Sequence, residues 1–167
     1  INRGIICFFL SLPDYIAIGI ARNITYLLSL LIGRYNRITT DNLTQAGINI
    51  APATVYKHFG AAFIHMAMSD RRMRHKTYRK YISFEHEHIL QSAISENRGV
   101  ILVSGHFGNW EIGIAALALA GYPINLVAFP QINPHLNGLM MNYRLKNGVK
   151  VMYSHGAISR CQEVLNN

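Results

Sequence analysis

Short apolar runs alternate with segments of helical periodicity from residue 99 onwards. Three runs bounded by Gly, Pro or Ser are predicted strands, at residues 100–104, 123–129 and 149–153. Three further segments are predicted helices, at residues 110–120, 134–147 and 157–165. This alternation predicts an α/β fold with a mainly parallel sheet built from βαβ units.

The pattern before residue 99 is mainly helical. Pro52 begins a segment in which apolar residues recur every three or four positions, as in an amphipathic helix. Residues 81–86 are predicted to form a strand that leads into a helix at residues 87–95. An apolar, helical N-terminal region is therefore expected to precede the α/β part of the chain.

Residues 15–33 form a long apolar run that contains one charged residue, Arg22. A helix of this length extends about 28 Å, which is close to the thickness of the hydrocarbon core of a bilayer. Three interpretations remain open: a membrane span, a helix in the membrane interface, and a buried helix of a soluble domain. We favour membrane contact. A cleavable signal peptide is disfavoured because no small-x-small cleavage site follows.

Arg34 and Arg37 follow this apolar run directly. Because basic residues beside an apolar segment tend to stay on the cytoplasmic side, they predict a cytoplasmic location for the rest of the chain. We therefore expect an apolar membrane-associated segment at residues 1–36 and a second part, residues 37–167, that carries the site.

Composition and charge support contact with an anionic surface. Only 14% of the residues are charged, whereas soluble domains average about 25%. The formal net charge of +8 favours anionic partners, and residues 71–80 carry six Lys/Arg without an acidic residue. This run fits a solvated face, or a patch for lipid headgroups or an acidic carrier protein. A nucleic-acid partner is disfavoured, because no aromatic platform, helix-turn-helix or zinc motif accompanies the run.

The sequence predicts no metal site and no cofactor. Glu85-His86-Glu87-His88 places residues of the same type two positions apart, and such residues do not share a helical face. Cys7 and Cys161 lie at opposite ends of the chain without metal-ligand spacing, which favours two free thiols in a reducing compartment.

The candidate catalytic residues lie at the junction between the predicted strand 100–104 and the predicted helix 110–120. His106 is a candidate general base, and Glu111 can fix its tautomer and orientation. Gly108 leaves the backbone amides exposed to a developing oxyanion, and Asn109 is a plausible helix N-cap. Since no serine lies in a GxSxG motif, the histidine would activate a hydroxyl of the substrate. The alternative is that both residues are structural.

The motif Ser104-Gly-His-Phe-Gly-Asn-Trp-Glu111 resembles the His-x4-Asp/Glu signature of the glycerolipid-type acyltransferases. Its residues are similar in particular to the corresponding motif of the lauroyl and myristoyl transferases of lipid A biosynthesis. Supporting similarities are the Arg37-Ile-x-x-x-Asn-Leu43 block and Asn142-Tyr-Arg-Leu-Lys-Asn-Gly148. Family members run to nearly twice this length, so we expect residues 37–167 to be the N-terminal part of an acyltransferase domain in a longer protein.

The resemblance implies transfer of a fatty acyl chain from an acyl carrier protein thioester to a hydroxyl of a lipid A precursor. It implies a location at the cytoplasmic face of the bacterial inner membrane. It makes His106 the general base and Glu111 its partner, and it places Arg144 near the site, where it would hold phosphate or assist the oxyanion. Two alternatives remain open: acyl transfer to another glycolipid or glycerophospholipid acceptor, and a non-catalytic membrane-surface module.

Overall fold

The computed structural model describes residues 3–73 and 77–165, and these form a mixed α/β protein. The elements in chain order are α1 (Arg3–Ser11), α2 (Asp14–Leu31), α3 (Gly33–Gln45), α4 (Pro52–Arg72), a 3-10 helix (Tyr78–Lys80), α5 (Glu87–Ser95), α6 (Trp110–Leu119), β1 (Asn125–Ala128), α7 (Pro134–Lys146), β2 (Lys150–Tyr153) and α8 (Ala157–Leu165). The chain divides between Ser69 and Asp70 into an N-terminal unit and a C-terminal unit.

The core of the N-terminal unit lies between α2 and α4. Its buried apolar residues come from these two helices, and they are Ala17, Ala21, Ile64 and Met68. Three partly buried side chains, Phe9, Leu12 and Ile18, pack against them. Gly60 of α4 lies so close to α2 that a Cβ atom there would be 2.7 Å from the carbonyl oxygen of Ala21. The two helices therefore cross in direct backbone contact.

Gly60→Ala should destabilise the N-terminal unit by about 1–3 kcal/mol, because the added methyl group meets backbone atoms that cannot move independently of α2. This figure is the net effect, after the gain of about 1 kcal/mol that alanine brings in helix propensity. Gly19→Ala is the matched control, since a Cβ at Gly19 of α2 has open space around it. Thermal unfolding of both variants would test the crossing, and equal stabilisation by both substitutions would contradict it.

Helices α2 and α3 meet at a sharp bend of 102°. Ser29 anchors the bend, because its carbonyl oxygen accepts hydrogen bonds from the Asn36 side chain (2.5 Å) and from the backbone amide of Ile32 (3.4 Å). We call residues 27–38 the α2–α3 elbow. Of the helices in the described residues, none by itself has the length and apolar composition to cross a membrane. The bent pair α2 and α3 meets those criteria only when the two are taken together.

The C-terminal unit contains a parallel pair of strands joined through a helix. β1 and β2 pair in register from Asn125 opposite Lys150 to Ala128 opposite Tyr153, and α7 connects them. The predicted strands at 123–129 and 149–153 are confirmed, as are the predicted helices at 87–95, 110–120, 134–147 and 157–165. Two strands do not make a mainly parallel sheet, and that part of the predicted fold is not confirmed among the described residues.

Two predicted strands are wrong. Residues 100–104 have no strand partner in the described structure, and residues 101–104 are exposed, to 90% at Val103. The apolar, β-branched composition indicated burial, but neither of the two strands in the described part of the chain pairs with this segment. Residues 81–86 form turns and irregular chain, and His86 at their end adopts a left-handed conformation (φ 55°) that an extended strand does not have.

Glu87 at the start of α5 joins three parts of the C-terminal unit. Its carboxylate accepts hydrogen bonds from the Arg79 guanidinium (3.1 Å) and from the hydroxyl of Tyr122 (3.1 Å). The hydrogen bond from Arg79 is the main cause that lowers the pKa of Glu87 below its ordinary value, and the Tyr122 hydroxyl adds to it. The folded protein therefore favours the ionised carboxylate.

This lowered pKa predicts how stability depends on pH. Glu87→Gln should destabilise the protein near neutral pH, and the difference from wild type should shrink as the pH falls below about 4.5. The sign follows because protonation of a group with a depressed folded-state pKa removes its stabilising contribution. Chemical denaturation of both proteins at a series of pH values would measure the effect. A difference that does not change with pH would contradict it.

The basic run at residues 71–80 lies partly outside the described residues, because positions 74–76 are not among them. Its C-terminal residues form the 3-10 helix Tyr78–Lys80, in which Tyr78 is buried and Arg79 and Lys80 are exposed. The predicted role of this run in binding headgroups or a carrier protein stays a prediction.

Candidate active site

His106 lies on an exposed connection that leads into α6. Its ring contacts the indole of Trp110, with ring centroids 4.6 Å apart and planes tilted by 57°. This contact joins positions i and i+4 across the start of the helix, and it holds the imidazole beside the first turn of α6. The neighbouring Phe107 is 86% exposed. The candidate base is therefore open to a substrate that arrives from solvent or from a lipid surface.

The backbone between His106 and α6 has a defined turn. Gly108 adopts a left-handed conformation (φ 56°), which glycine accepts without steric cost. Asn109 is the N-cap as predicted, because its side-chain oxygen accepts a hydrogen bond from the amide of Ile112 at 3.3 Å. The amides of Trp110 and Glu111 follow directly, at positions where a helix offers no carbonyl partner of its own. This turn presents donors close to His106.

Glu111 and Arg144 form a buried ion pair between α6 and α7. Arg144 donates from Nη2 to one carboxylate oxygen (2.5 Å) and from Nε to the other (3.0 Å), which is the bidentate geometry typical of arginine and carboxylate. Glu111 is 4% exposed and Arg144 8% exposed. Glu111 lies in the first turn of α6 and Arg144 in the last turn of α7, so each charge is also favoured by its helix dipole.

The structure brings some of the predicted site residues together and leaves one apart. Gly108, Asn109 and Glu111 lie on one short turn, and Arg144 is joined to Glu111 through its side chain. Among the described residues, no hydrogen bond links His106 to Glu111. Both carboxylate oxygens of Glu111 are instead bound by Arg144. The predicted catalytic roles of these residues stay predictions.

Trp110 is a site residue that the sequence argument missed. Its spacing of four positions from His106 was the available signal, because side chains at i and i+4 meet on one helical face. The direct pairing of Arg144 with Glu111 was also missed. The two residues are 33 positions apart and carry no local pattern.

The comparison with protein families decides the class of this protein. The model of the bacterial lipid A biosynthesis acyltransferases matches residues 50–167, a span that contains the whole turn around His106 and both partners of the ion pair. The chain belongs to this family. No curated protein and no solved structure matches the chain. Membership supports acyltransferase activity in general, with an acyl donor and a lipid acceptor.

Proposed function

We propose that this lipid A acyltransferase family member transfers a fatty acyl chain from an acyl carrier protein thioester to a hydroxyl of a lipid A precursor, at the cytoplasmic face of the inner membrane. The single observation that carries the proposal is the exposed His106 beside the amide-bearing turn of α6, within the region that matches the family. We expect this reaction to need no cofactor.

In the proposed reaction, His106 accepts the proton of the acceptor hydroxyl. The resulting oxygen nucleophile attacks the thioester carbonyl carbon and forms a new C–O bond. The amides of Trp110 and Glu111 donate to the oxyanion that develops on the carbonyl oxygen. The C–S bond then breaks, and the carrier thiolate takes the proton back from the imidazolium. The products are an ester and a free carrier thiol, so atoms and electrons balance.

Glu111 has a structural role in this scheme, and that role is compatible with its predicted role as the carboxylate that orients His106. Its pairing with Arg144 ties the first turn of α6 to α7, and this turn carries the amides and the Trp110 ring that contacts His106. An ionised carboxylate offers about four acceptor positions, so two bonds from Arg144 leave room for a further one from His106. Arg144 would then meet an anionic substrate group through Nη1 and the second N–H of Nη2, because Nε and one N–H of Nη2 bind Glu111.

Lipid analysis of cells tests the acceptor. Cells that lack the full-length gene should accumulate lipid A that is lighter by one acyl group, and the wild-type gene should restore the mass. The gene carrying His106→Ala should not restore it. Unchanged lipid A in the deleted cells, together with a loss of acyl chains from another glycolipid or a glycerophospholipid, would transfer the proposal to that acceptor class and contradict the lipid A assignment.

A further inference from the structure

The orientation of the His106 imidazole is the feature on which the proposed proton transfer depends. A general base has to present a ring nitrogen within hydrogen-bond reach of the acceptor hydroxyl. The carboxylate of Glu111, the predicted orienting partner, is bound on both oxygens by Arg144. Within the described residues, the His106 ring contacts the indole of Trp110, with centroids 4.6 Å apart and planes tilted by 57°. In the described structure the orientation of the base therefore depends on an aromatic neighbour.

Trp110 is itself held firmly at the start of α6. It is the first residue of the helix, it is half-buried, and it follows the N-cap Asn109, whose side chain caps the helix. The next residue, Glu111, is fixed to α7 by its buried ion pair. His106, in contrast, is exposed on the connection that precedes the helix. The indole is therefore the anchored partner of the pair, and the imidazole is the partner that it restrains.

The same contact is suited to the charge that the reaction creates. In the proposed reaction the imidazole accepts a proton and becomes an imidazolium. An indole ring attracts a cation that lies within about 6 Å of its centroid, and it does so more strongly than the ring of Phe or Tyr. The separation of 4.6 Å between His106 and Trp110 is within this range. An interaction that strengthens as positive charge develops stabilises the transition state more than the bound substrate, and it therefore raises kcat.

We propose that Trp110 is a positioning residue for the general base. Its indole holds the His106 imidazole toward the acceptor hydroxyl and stabilises the positive charge that develops on the imidazole ring. An aromatic ring thereby supplies part of the support that the sequence predicted from a carboxylate. This role deepens the proposed function and rests on it, because it takes His106 as the base. The ring contact is measured without acyl transfer, so the role of Trp110 and the proposed function can fail separately.

The fluorescence emission of Trp110 tests the ring contact directly. The 167-residue chain contains one tryptophan, and a protonated imidazole in contact with an indole quenches its emission. Emission of the purified wild type should fall between about pH 8 and about pH 5, where histidine side chains take up a proton, and His106→Ala should abolish this fall. The difference between the two proteins isolates this pair. An equal fall in both would overturn the contact.

Phe107→Leu is the matched control for the emission measurement. Phe107 is the aromatic neighbour of His106 in the chain and is 86% exposed, but its ring lies against Gly105. The substitution therefore removes an aromatic ring from the same turn without removing the contact of the imidazole with Trp110. Phe107→Leu should keep the pH-dependent fall of the wild type. Loss of the fall in this variant would contradict the assignment of the quenching to the pair of His106 and Trp110.

Turnover by a graded series at position 110 tests the role in catalysis. Trp110→Leu keeps an apolar side chain but removes the ring, and it should lower kcat about two- to tenfold with KM unchanged. Trp110→Phe keeps a ring that attracts cations less strongly, so its kcat should lie between those of wild type and Trp110→Leu. Tyr81→Leu removes an exposed ring outside the α6 turn and should keep the wild-type kcat. Thermal unfolding confirms that each variant is folded.

The measurements, made with acyl carrier protein thioester and a lipid A precursor, separate this role from packing and from the proposed function. Equal kcat in Trp110→Phe and Trp110→Leu, or a change confined to KM, would overturn the positioning role. Wild-type protein without turnover, but with emission that depends on His106, would contradict the proposed function and retain the ring contact. Wild-type turnover together with emission unchanged by His106→Ala would overturn the role of Trp110 and retain the proposed function.

Discussion

Replacing Arg144 with alanine should lower the free energy of unfolding by about 3–5 kcal/mol, because it leaves the buried carboxylate of Glu111 without a partner. The carboxylate gave up its hydration when the protein folded, and the two hydrogen bonds from Arg144 compensate for that loss. In the variant both hydrogen bonds are lost, and the desolvation of the carboxylate is no longer compensated. Denaturant unfolding followed by circular dichroism measures the effect.

The exposed ion pair of Arg98 and Glu96 provides the matched control. Its side chains are 80% and 52% exposed, so Arg98→Ala should change the free energy of unfolding by less than about 1 kcal/mol. The double variant Glu111→Leu with Arg144→Met should recover much of the stability that Arg144→Ala loses, because no uncompensated charge remains. A loss from Arg144→Ala no larger than that from Arg98→Ala would show that the buried pair does not hold α6 to α7.

His106→Ala should lower the rate of acyl transfer by about two to four orders of magnitude, which is the usual contribution of a positioned general base. The same substitution should barely change the free energy of unfolding, because the imidazole is exposed and, within the described residues, its ring contacts only that of Trp110. A large loss of rate with little loss of stability separates a catalytic role from a structural one.

His88→Ala is the control for this prediction. His88 is also exposed, and its ring contacts the ring of His86. It therefore resembles His106 in exposure and aromatic contact but lies on α5 and not on the α6 turn. A wild-type rate is expected for His88→Ala. Comparable losses of rate in both variants would contradict the assignment of the base to His106.

The periodic helices and the paired strands were predictable from the sequence because their patterns are local. Helical repeats and short apolar runs bounded by Gly or Pro gave α5 to α8, β1 and β2 to within about two residues. The strand at 100–104 was predicted by the same rule and is wrong. Apolar composition states a preference for burial, whereas a strand also needs a hydrogen-bonded neighbour, and sequence pattern does not specify one.

The candidate site likewise contains one part that the sequence could predict and one part that it could not. Asn109 as the N-cap and Gly108 in the turn follow from local chemistry, and the structure has both. The partner of Glu111 depends on how α6 and α7 pack, so a residue 33 positions away could be placed near the site by resemblance but not paired by spacing. The sequence also could not predict that the leucines on α2 are exposed, because an apolar run does not specify which of its faces is covered.

We propose that the turn at His106 catalyses acyl transfer to a lipid A precursor. The most direct test of this claim is the mass spectrum of the precursor after incubation with acyl carrier protein thioester and the purified full-length protein. The wild type should yield a lipid heavier by one acyl group, and His106→Ala should yield almost none over the same time. A precursor of unchanged mass with the wild type, or equal product from both proteins, would contradict the claim.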